Sequence, residues 1–567
     1  MSGLKDIVYG SRLYQLSLRG RFPHGLAYYP RNPWPGDAQV GDDLFQGRFR
    51  LAGELIEAGT ADPWHVPASD SWRAELHGFR WVRHFEAAGG DTAMTKARRL
   101  TAGWLASFAE FDTFVWRPDI LARRLVNWCL HADLLFKNAE LTYRSDLLRA
   151  MARQARHLAR TVEDAPDGPP AITAATGLAF VGLCLPDSRG WTERGLRLLV
   201  GELSRQFRSD GGHISRNPEL LFETLKDLIL LKRTMMEVGE PPPEPLIHAI
   251  DRMTPTLRML RHGDGGLALF NGGTVGNAAD IDVMVKRSGI RGKPNLSAPK
   301  SGFERLQGGQ TAVIVDFGGP APQPGIGYAG ILSFELSHRK ERVVVNSGAA
   351  RPATPEWTRA LASTAAHSTL TLADTNAVSV PEAGRKRRRR LEAEAVRTES
   401  PDATWVDMMH TGYQENHGAV HRRRLYLDRE GRDLRGEDRL EVSEKHRGGP
   451  RPFAIRFHLH PGATVVMAQG GDAALIRLRS GRGWRFRAAG ATLELEQSVW
   501  LGDGSPRRSQ QILLGGELDK DDVIVQWAFT LIDGTASGNR TTAGQTDLEE
   551  DSRGGMLPDP AKEDQEP

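Results

Sequence analysis

Apolar residues recur every three to four positions through much of the first half of the chain, the spacing of helices that bury one face. In PDILARRLVNWCLHADLLF (118–136) the recurring positions are Leu121, Leu125, Trp128 and Leu135, and Pro118 stands where a helix can begin. SDLLRAMARQARHLART puts Leu148, Met151, Ala155 and Leu158 on one stripe, with Ser145 as the expected cap. RGLRLLVGELSRQF repeats the pattern at Leu196, Leu199, Leu203 and Phe207. PELLFETLKDLILLKRTMMEVG (218–239) is a further amphipathic segment, ending at Gly239. The links EDAPDGPP and VGEPPPEP are short and proline-rich, so this half reads as an all-α domain.

After about residue 265 the period changes. TAVIVDFG, GILSFELSH, RVVVNSG, HSTLTLAD, RRLYLD, IRFHLH, GWRFRA, ATLELEQ and DVIVQWAFTL are short, β-rich and often alternating. DREGR (428–432) and SGRGW (480–484) read as hairpin turns. Short strands at this spacing predict an antiparallel sandwich. The expected organisation is an N-terminal extension over 1–40, a helical domain over 41–290, a sandwich over 300–535 and a polar, disordered tail over 536–567.

Composition narrows the function. The chain has 567 residues, too many for one ordinary core, and its 40% hydrophobic and 26% charged content is that of a globular protein. Lys+Arg 74 against Asp+Glu 71 leaves a net charge of +3, which argues against a protein built to hold nucleic acid. Cys129 and Cys184 form no CxxC pair, so a thiolate zinc site is not expected. No apolar run is long enough to span a bilayer, and MSGLKDIVYGSRLYQLSLRGRFP lacks a signal-peptide core. The expected location is therefore the cytoplasm. Oligomeric state is not legible.

Two features suggest a polyanion. Trp34, Trp64, Trp72, Trp81, Trp104, Trp116, Trp128 and Trp191 fall in the first two hundred residues, among Arg117, Arg123 and Arg124. Aromatics can stack on sugar rings, and guanidinium groups pair bidentately with carboxylate or sulfate; equally, tryptophan fills cores. Arg385, Lys386, Arg387, Arg388, Arg389 and Arg390 form the densest charge, either a polyanion contact or a solvated loop. No nucleic-acid motif flanks this run.

Several motifs together resemble the heparinase II/III-like family. They are WRPDILARRLVNW (116–128), SDGGHISRNP (209–218), GLALFNGG (266–273), ILSFELSHRKERVVVNSG (331–348), TAAHSTLTLAD (364–374), MMHTGY (408–413), HRRRL (421–425) and IRFHLHPG (455–462). The resemblance covers roughly residues 30–530 and implies an α+β multidomain fold: an N-terminal incomplete (α/α) toroid followed by a C-terminal antiparallel β-sandwich. It also implies a carbon–oxygen lyase that cleaves an acidic, uronate-containing polysaccharide by β-elimination. That reaction needs a donor to neutralise the uronate carboxylate, a base for the C5 proton and an acid for the leaving oxygen. Family lyases use an Asn or His and a Tyr from the toroid and a His from the sandwich, and many hold a zinc ion through sandwich His and Asp residues. Many relatives work in the periplasm or cell envelope, the alternative location.

Carried over by position, His367 in AAHSTL matches the family's AHNT-type histidine. His410, two residues before Gly412-Tyr413, matches its HDGY-type element, with Thr411 for the Asp, and His421 matches its HRR element. The resemblance thus implies His367 as catalyst, and His367 with His410 as ligands of Zn2+. Asp210, Gly211, His213 and Pro218 fit the toroid segment DGxHxExSPxYH, but Leu220 stands where the catalytic Tyr would be. PDGPPAITAATGLAFVG (166–182) lacks the expected Asn-His pair. Leucine carries no proton, so His213, Asn217 and Tyr413 become the substitute catalytic candidates, with Arg216, Arg124 and Trp128 as substrate contacts. His458 and His460, two apart on a strand, share one face, with a structural role expected. The rival to a lyase is a non-catalytic member that binds an anionic glycan or envelope polymer, and Leu220 favours it.

Overall fold

The computed structural model describes residues 2–320, 327–378, 391–442 and 449–532. The basic run 385–390 and the tail 536–567 lie outside the described residues. The chain divides into two compact units, one formed by 1–207, 220–254 and 279–291, the other by 208–219, 255–278 and 292 onward. The second unit thus takes two short segments from within the stretch expected to be purely helical.

The first unit is helical, with one small hairpin of Arg48–Leu51 against Glu54–Glu57. The helix Pro169–Cys184 is apolar all round and almost wholly buried, because it packs between Pro118–Leu130 and Arg189–Gln206. Glycines permit that closeness: a Cβ on Gly177 would lie 2.6 Å from the Cβ of Ala122, and one on Gly195 would lie 2.5 Å from the Ala179 nitrogen. The stripe Leu148, Met151, Ala155 and Leu158 faces the core as its spacing predicts. Ser145 is not a cap, however. The helix begins at Leu141 with Glu140 at the N-cap position, which puts Ser145 inside it.

The second unit is an antiparallel sandwich. Among the described residues one sheet runs, in spatial order, Thr464–Met467, Ala473–Arg477, Gly483–Ala489, Val523–Ile532, Asp433–Val442, Ala419–Asp428, Ala403–His410 and Ala393–Glu399. The other runs Thr492–Trp500, Arg507–Leu518, Arg451–Leu459, Glu341–Val345, Ser333–His338, Thr311–Asp316, Phe303–Gly308 and Ser297–Ala298, with Leu370–Leu372 paired to Arg451–Leu459. Both expected hairpin turns connect neighbouring strands. One core joins the sheets, with Phe334, Phe457, Phe486, Trp527 and Phe529 among its members. Trp527 lies flat on the bare Gly436 opposite, where a Cβ would come within 2.0 Å of the indole.

Candidate functional site

Antiparallel register sets His410 directly across from His421. The amide of Gly412 donates to His410 Nδ1 at 3.0 Å, so the ring proton is on Nε2, which donates to His421 Nδ1 at 3.2 Å. His421 then donates from Nε2 to Asp438 Oδ1 at 2.7 Å. Arg423 binds the same carboxylate through Nε at 2.7 Å and Nη2 at 3.0 Å, and the Trp527 indole donates to Oδ2 at 2.8 Å. Burial lowers the pKa of both imidazoles, keeping them neutral. Burial works to raise the Asp438 carboxyl, but Arg423 and His421 outweigh it and hold it well below the usual range.

His410 therefore has no nitrogen to spare for a metal. Among the described residues no group of three or more His, Cys, Asp or Glu side chains is arranged to hold an ion. The expected Zn2+ ligand pair of His367 and His410 does not fit these donors. His458 is engaged at both nitrogens, by Ser498 Oγ at 2.8 Å and the Ala365 carbonyl at 3.0 Å, while His460 Nδ1 accepts from the Gly462 amide at 3.0 Å.

His367 is different. Its Nδ1 donates to the Ser363 carbonyl at 2.8 Å, which leaves Nε2 as a lone-pair acceptor with no partner among the described residues. Burial lowers its pKa to about 4, so it is a neutral base at physiological pH. The ring lies against Gly330, where a Cβ would come within 2.4 Å of Cδ2, and meets the Tyr328 ring edge-on at 6.1 Å. The Tyr328 hydroxyl reaches Gly272, whose Cβ would lie 2.6 Å from it. Arg351 arrives at the same glycine, donating from Nη2 to the Gly272 carbonyl at 3.4 Å and to Glu219 Oε2 at 3.1 Å. Asn346 accepts from the Ser368 amide, beside His367, and its buried Nδ2 has no partner among the described residues. Sequence reasoning missed Tyr328, Asn346 and Arg351. The one signal for Tyr328 was a lone aromatic in the glycine-rich GIGYAG.

Most of the other expected residues are committed to contacts within the fold. Tyr413 is fully buried and donates to the Leu370 carbonyl at 2.8 Å. Arg216 spends all five donors: on the carbonyls of Ser301, Gly318, Gly319 and Gly302, and on Asp316. Asn217 Oδ1 accepts from the Glu219 amide, capping the helix Pro218–Glu237, and its amide donates to the Asn271 carbonyl at 3.0 Å. His213 Nδ1 accepts from the Ser215 amide at 3.0 Å; burial lowers the ring's pKa to about 4. It lines a cleft with Arg208 and Lys300. Leu220 lies in the first turn of the helix Pro218–Glu237.

Arg124 and Trp128 are not surface contacts either. Both are fully buried, and Arg124 binds Gln154, the His77 carbonyl and the Val115 carbonyl while lying 4.4 Å over Trp104. Trp64, Trp72, Trp81, Trp104 and Trp116 are core residues too. The neighbour Arg123 instead lines an open pocket of the helical unit, with Trp34, Arg80, Arg83, Lys226 and Asp227. There Arg80 pairs with Glu223 at 2.8 Å.

A helical toroid-type unit joined to an antiparallel sandwich carrying the AAHSTL histidine defines a class: the chain belongs to the heparinase II/III-like family. Residues 290–528 match the family profile described as heparinase II/III-like, C-terminal. A relative from Caulobacter vibrioides (strain NA1000 / CB15N), FtsZ-localized protein C, is 32% identical over 550 residues, 93% of this chain and 94% of its own. Among solved structures, heparinase III aligns with a TM-score of 0.69 at 14% identity, over 94% of this chain and 90% of that one. The heparan sulfate lyase HepC of Pedobacter heparinus aligns with a TM-score of 0.60 at 16% identity, over 94% and 88%. Such identities establish a shared fold: an incomplete (α/α) toroid and a β-sandwich. Among the described residues no helix is long and apolar enough to cross a membrane.

Proposed function

We propose that the chain is a carbon–oxygen lyase acting on an acidic, uronate-containing polysaccharide by β-elimination. The observation that carries this reading is His367: its Nδ1 is fixed on Ser363, while Nε2 is a neutral acceptor with no partner among the described residues, beside the Tyr328 ring whose phenol feels the Arg351 charge. Nε2 takes the C5 proton of the uronate. Arg351, whose contacts to Glu219 and Gly272 use Nη2 alone, pairs with the uronate carboxylate as negative charge develops there. No metal enters this scheme. The test is the rise in absorbance of the unsaturated uronate when purified protein meets a panel of acidic polysaccharides. His367→Ala should lower that rate by roughly 10²–10⁴-fold, the usual loss on deleting a positioned base.

A second reading has its own support. Leu220 stands where family lyases keep a proton-carrying Tyr, and the 32%-identical relative is named for its position at FtsZ rather than for cleavage. On this reading the chain holds an anionic glycan or envelope polymer without cutting it, and works where FtsZ does. Binding of a uronate polymer with no absorbance change, together with a fluorescent fusion that follows FtsZ, decides for it. The first reading places the chain with its substrate, in the periplasm or cell envelope, and a fractionation experiment separates the two.

A further inference from the structure

We propose that Tyr328 is the general acid of this site, supplying from the sandwich unit the proton that Leu220 cannot; this rests on the lyase reading above. The next residue is pinned at both of its backbone groups, by Ala329 N–H to the Ala362 carbonyl at 2.9 Å and by Thr364 Oγ1 to the Ala329 carbonyl at 2.8 Å. Gly330 and Gly272 form the slot: one lets the imidazole approach the chain, the other lets the phenol tip do so. Gly272 has φ +79°, a conformation that suits glycine. In this slot the Tyr328 hydroxyl has no hydrogen-bond partner among the described residues, and the ring is half-buried. The hydroxyl is therefore open to solvent and to a bound sugar oxygen. Tyr413 has no such freedom, because its hydroxyl is committed to Leu370.

The protonation states also suit the roles. Burial raises the phenol and Arg351 only partly offsets it, so Tyr328 carries its proton at neutral pH while His367 does not. An acid and a base kept apart in this way define a direction for proton flow. His367 Nε2 removes the C5 proton, and that electron pair forms the C4=C5 double bond. The C4–O4 bond breaks with its pair on the leaving oxygen, which takes the proton of the Tyr328 hydroxyl. The resulting imidazolium and phenolate exchange one proton through solvent, restoring both groups, and Arg351 holds the carboxylate throughout.

The test compares two substrates on wild type, Tyr328→Phe and His367→Ala. One is the uronate polymer, whose leaving group is a sugar hydroxyl. The other is a synthetic uronoside with 2,4-dinitrophenoxide at C4, a leaving group that needs no acid. Tyr328→Phe should lose roughly 10²–10⁴-fold on the polymer and less than about tenfold on the activated compound, whereas His367→Ala should lose on both. Equal losses of Tyr328→Phe on the two substrates, or none on the polymer, overturn the assignment and leave the lyase reading standing. A wild type that forms no unsaturated product from either substrate removes the lyase reading and Tyr328's role with it.

Discussion

Asp438 anchors the interior of the sandwich, and replacing it with Asn is the most demanding test of the buried network. Its carboxylate accepts from His421, from Arg423 twice and from Trp527, all at 3.0 Å or less, with His421, Arg423 and Asp438 each buried. Asn offers one acceptor oxygen and turns an N–H2 toward donors, leaving the Arg423 charge buried without a counterion. Removing one partner of a buried ion pair costs about 3–5 kcal/mol. The magnitude should sit in that range, because Arg423 keeps only two neutral carbonyls, Leu332 and Ser368, at 2.8 and 2.9 Å. The assay is urea unfolding with hydrogen exchange read in Ala419–Asp428 and Asp433–Val442, which report this unit directly. Arg423→Met with Asp438→Asn should be less destabilised than the sum of the single changes, by about 2 kcal/mol or more. A loss below about 1 kcal/mol for Asp438→Asn would refute the view that this network holds the sandwich. The pH dependence has a definite sign. The folded carboxyl lies below its unfolded value of about 3.9, so its stabilisation is present above that pH and fades as pH falls. Asp438→Asn should lose that part of the acid slope.

Other outcomes follow from the same contacts. His458 is buried and its pKa lowered to about 3, so below pH ~6.5 the unfolded chain binds a proton that the folded chain refuses; stability should fall by about 1.4 kcal/mol per pH unit from this group, and His458→Gln should flatten urea midpoints between pH 6 and pH 4. Lyase turnover, if His367 is the base, should show an acid limb near pH 4 rather than 6.5, since burial lowers this imidazole; a limb at 6.5 would contradict it. Tyr413→Phe should cost about 1 kcal/mol by freeing the Leu370 carbonyl, with turnover and glycan binding unchanged.

The large divisions were legible because period follows burial. Leu141–Thr161 and Pro118–Leu130 carry helical stripes, and strands such as Val523–Ile532 alternate. Ala403–His410, Asp433–Val442 and Arg507–Leu518 were harder: charges and polar groups punctuate their sequences, and Arg424–Asp407 and Arg439–Asp522 are ion pairs at exposed or half-buried positions. The tryptophans misled as a groove because composition does not say which way a side chain points. Yet Leu121, Arg124, Leu125 and Trp128 follow i, i+3, i+4, i+7, so Arg124 shares the buried stripe and its interior position was readable. His410 and His421 matched separate motifs, and only strand register reveals that they bond each other. Tyr328 and His367 are brought together by glycines that carry no side-chain signal.

The two short segments that the sandwich takes from upstream decide what can be inherited or transplanted as a piece. Asp210 holds Ser301, Arg216 neutralises Asp316, His262 meets Glu335 at 2.8 Å and Asp264 binds Arg342 at 2.7 Å. Each partner from 301 onward is buried, so a gene fragment opening at residue 290, where the family match begins, would encode Asp316, Glu335 and Arg342 without these counterparts. The smallest exchangeable cassette is therefore discontinuous in the gene. Recombination that swaps one half for a foreign counterpart must bring 208–219 and 255–278 along, which ties the history of the toroid sequence to that of the sandwich.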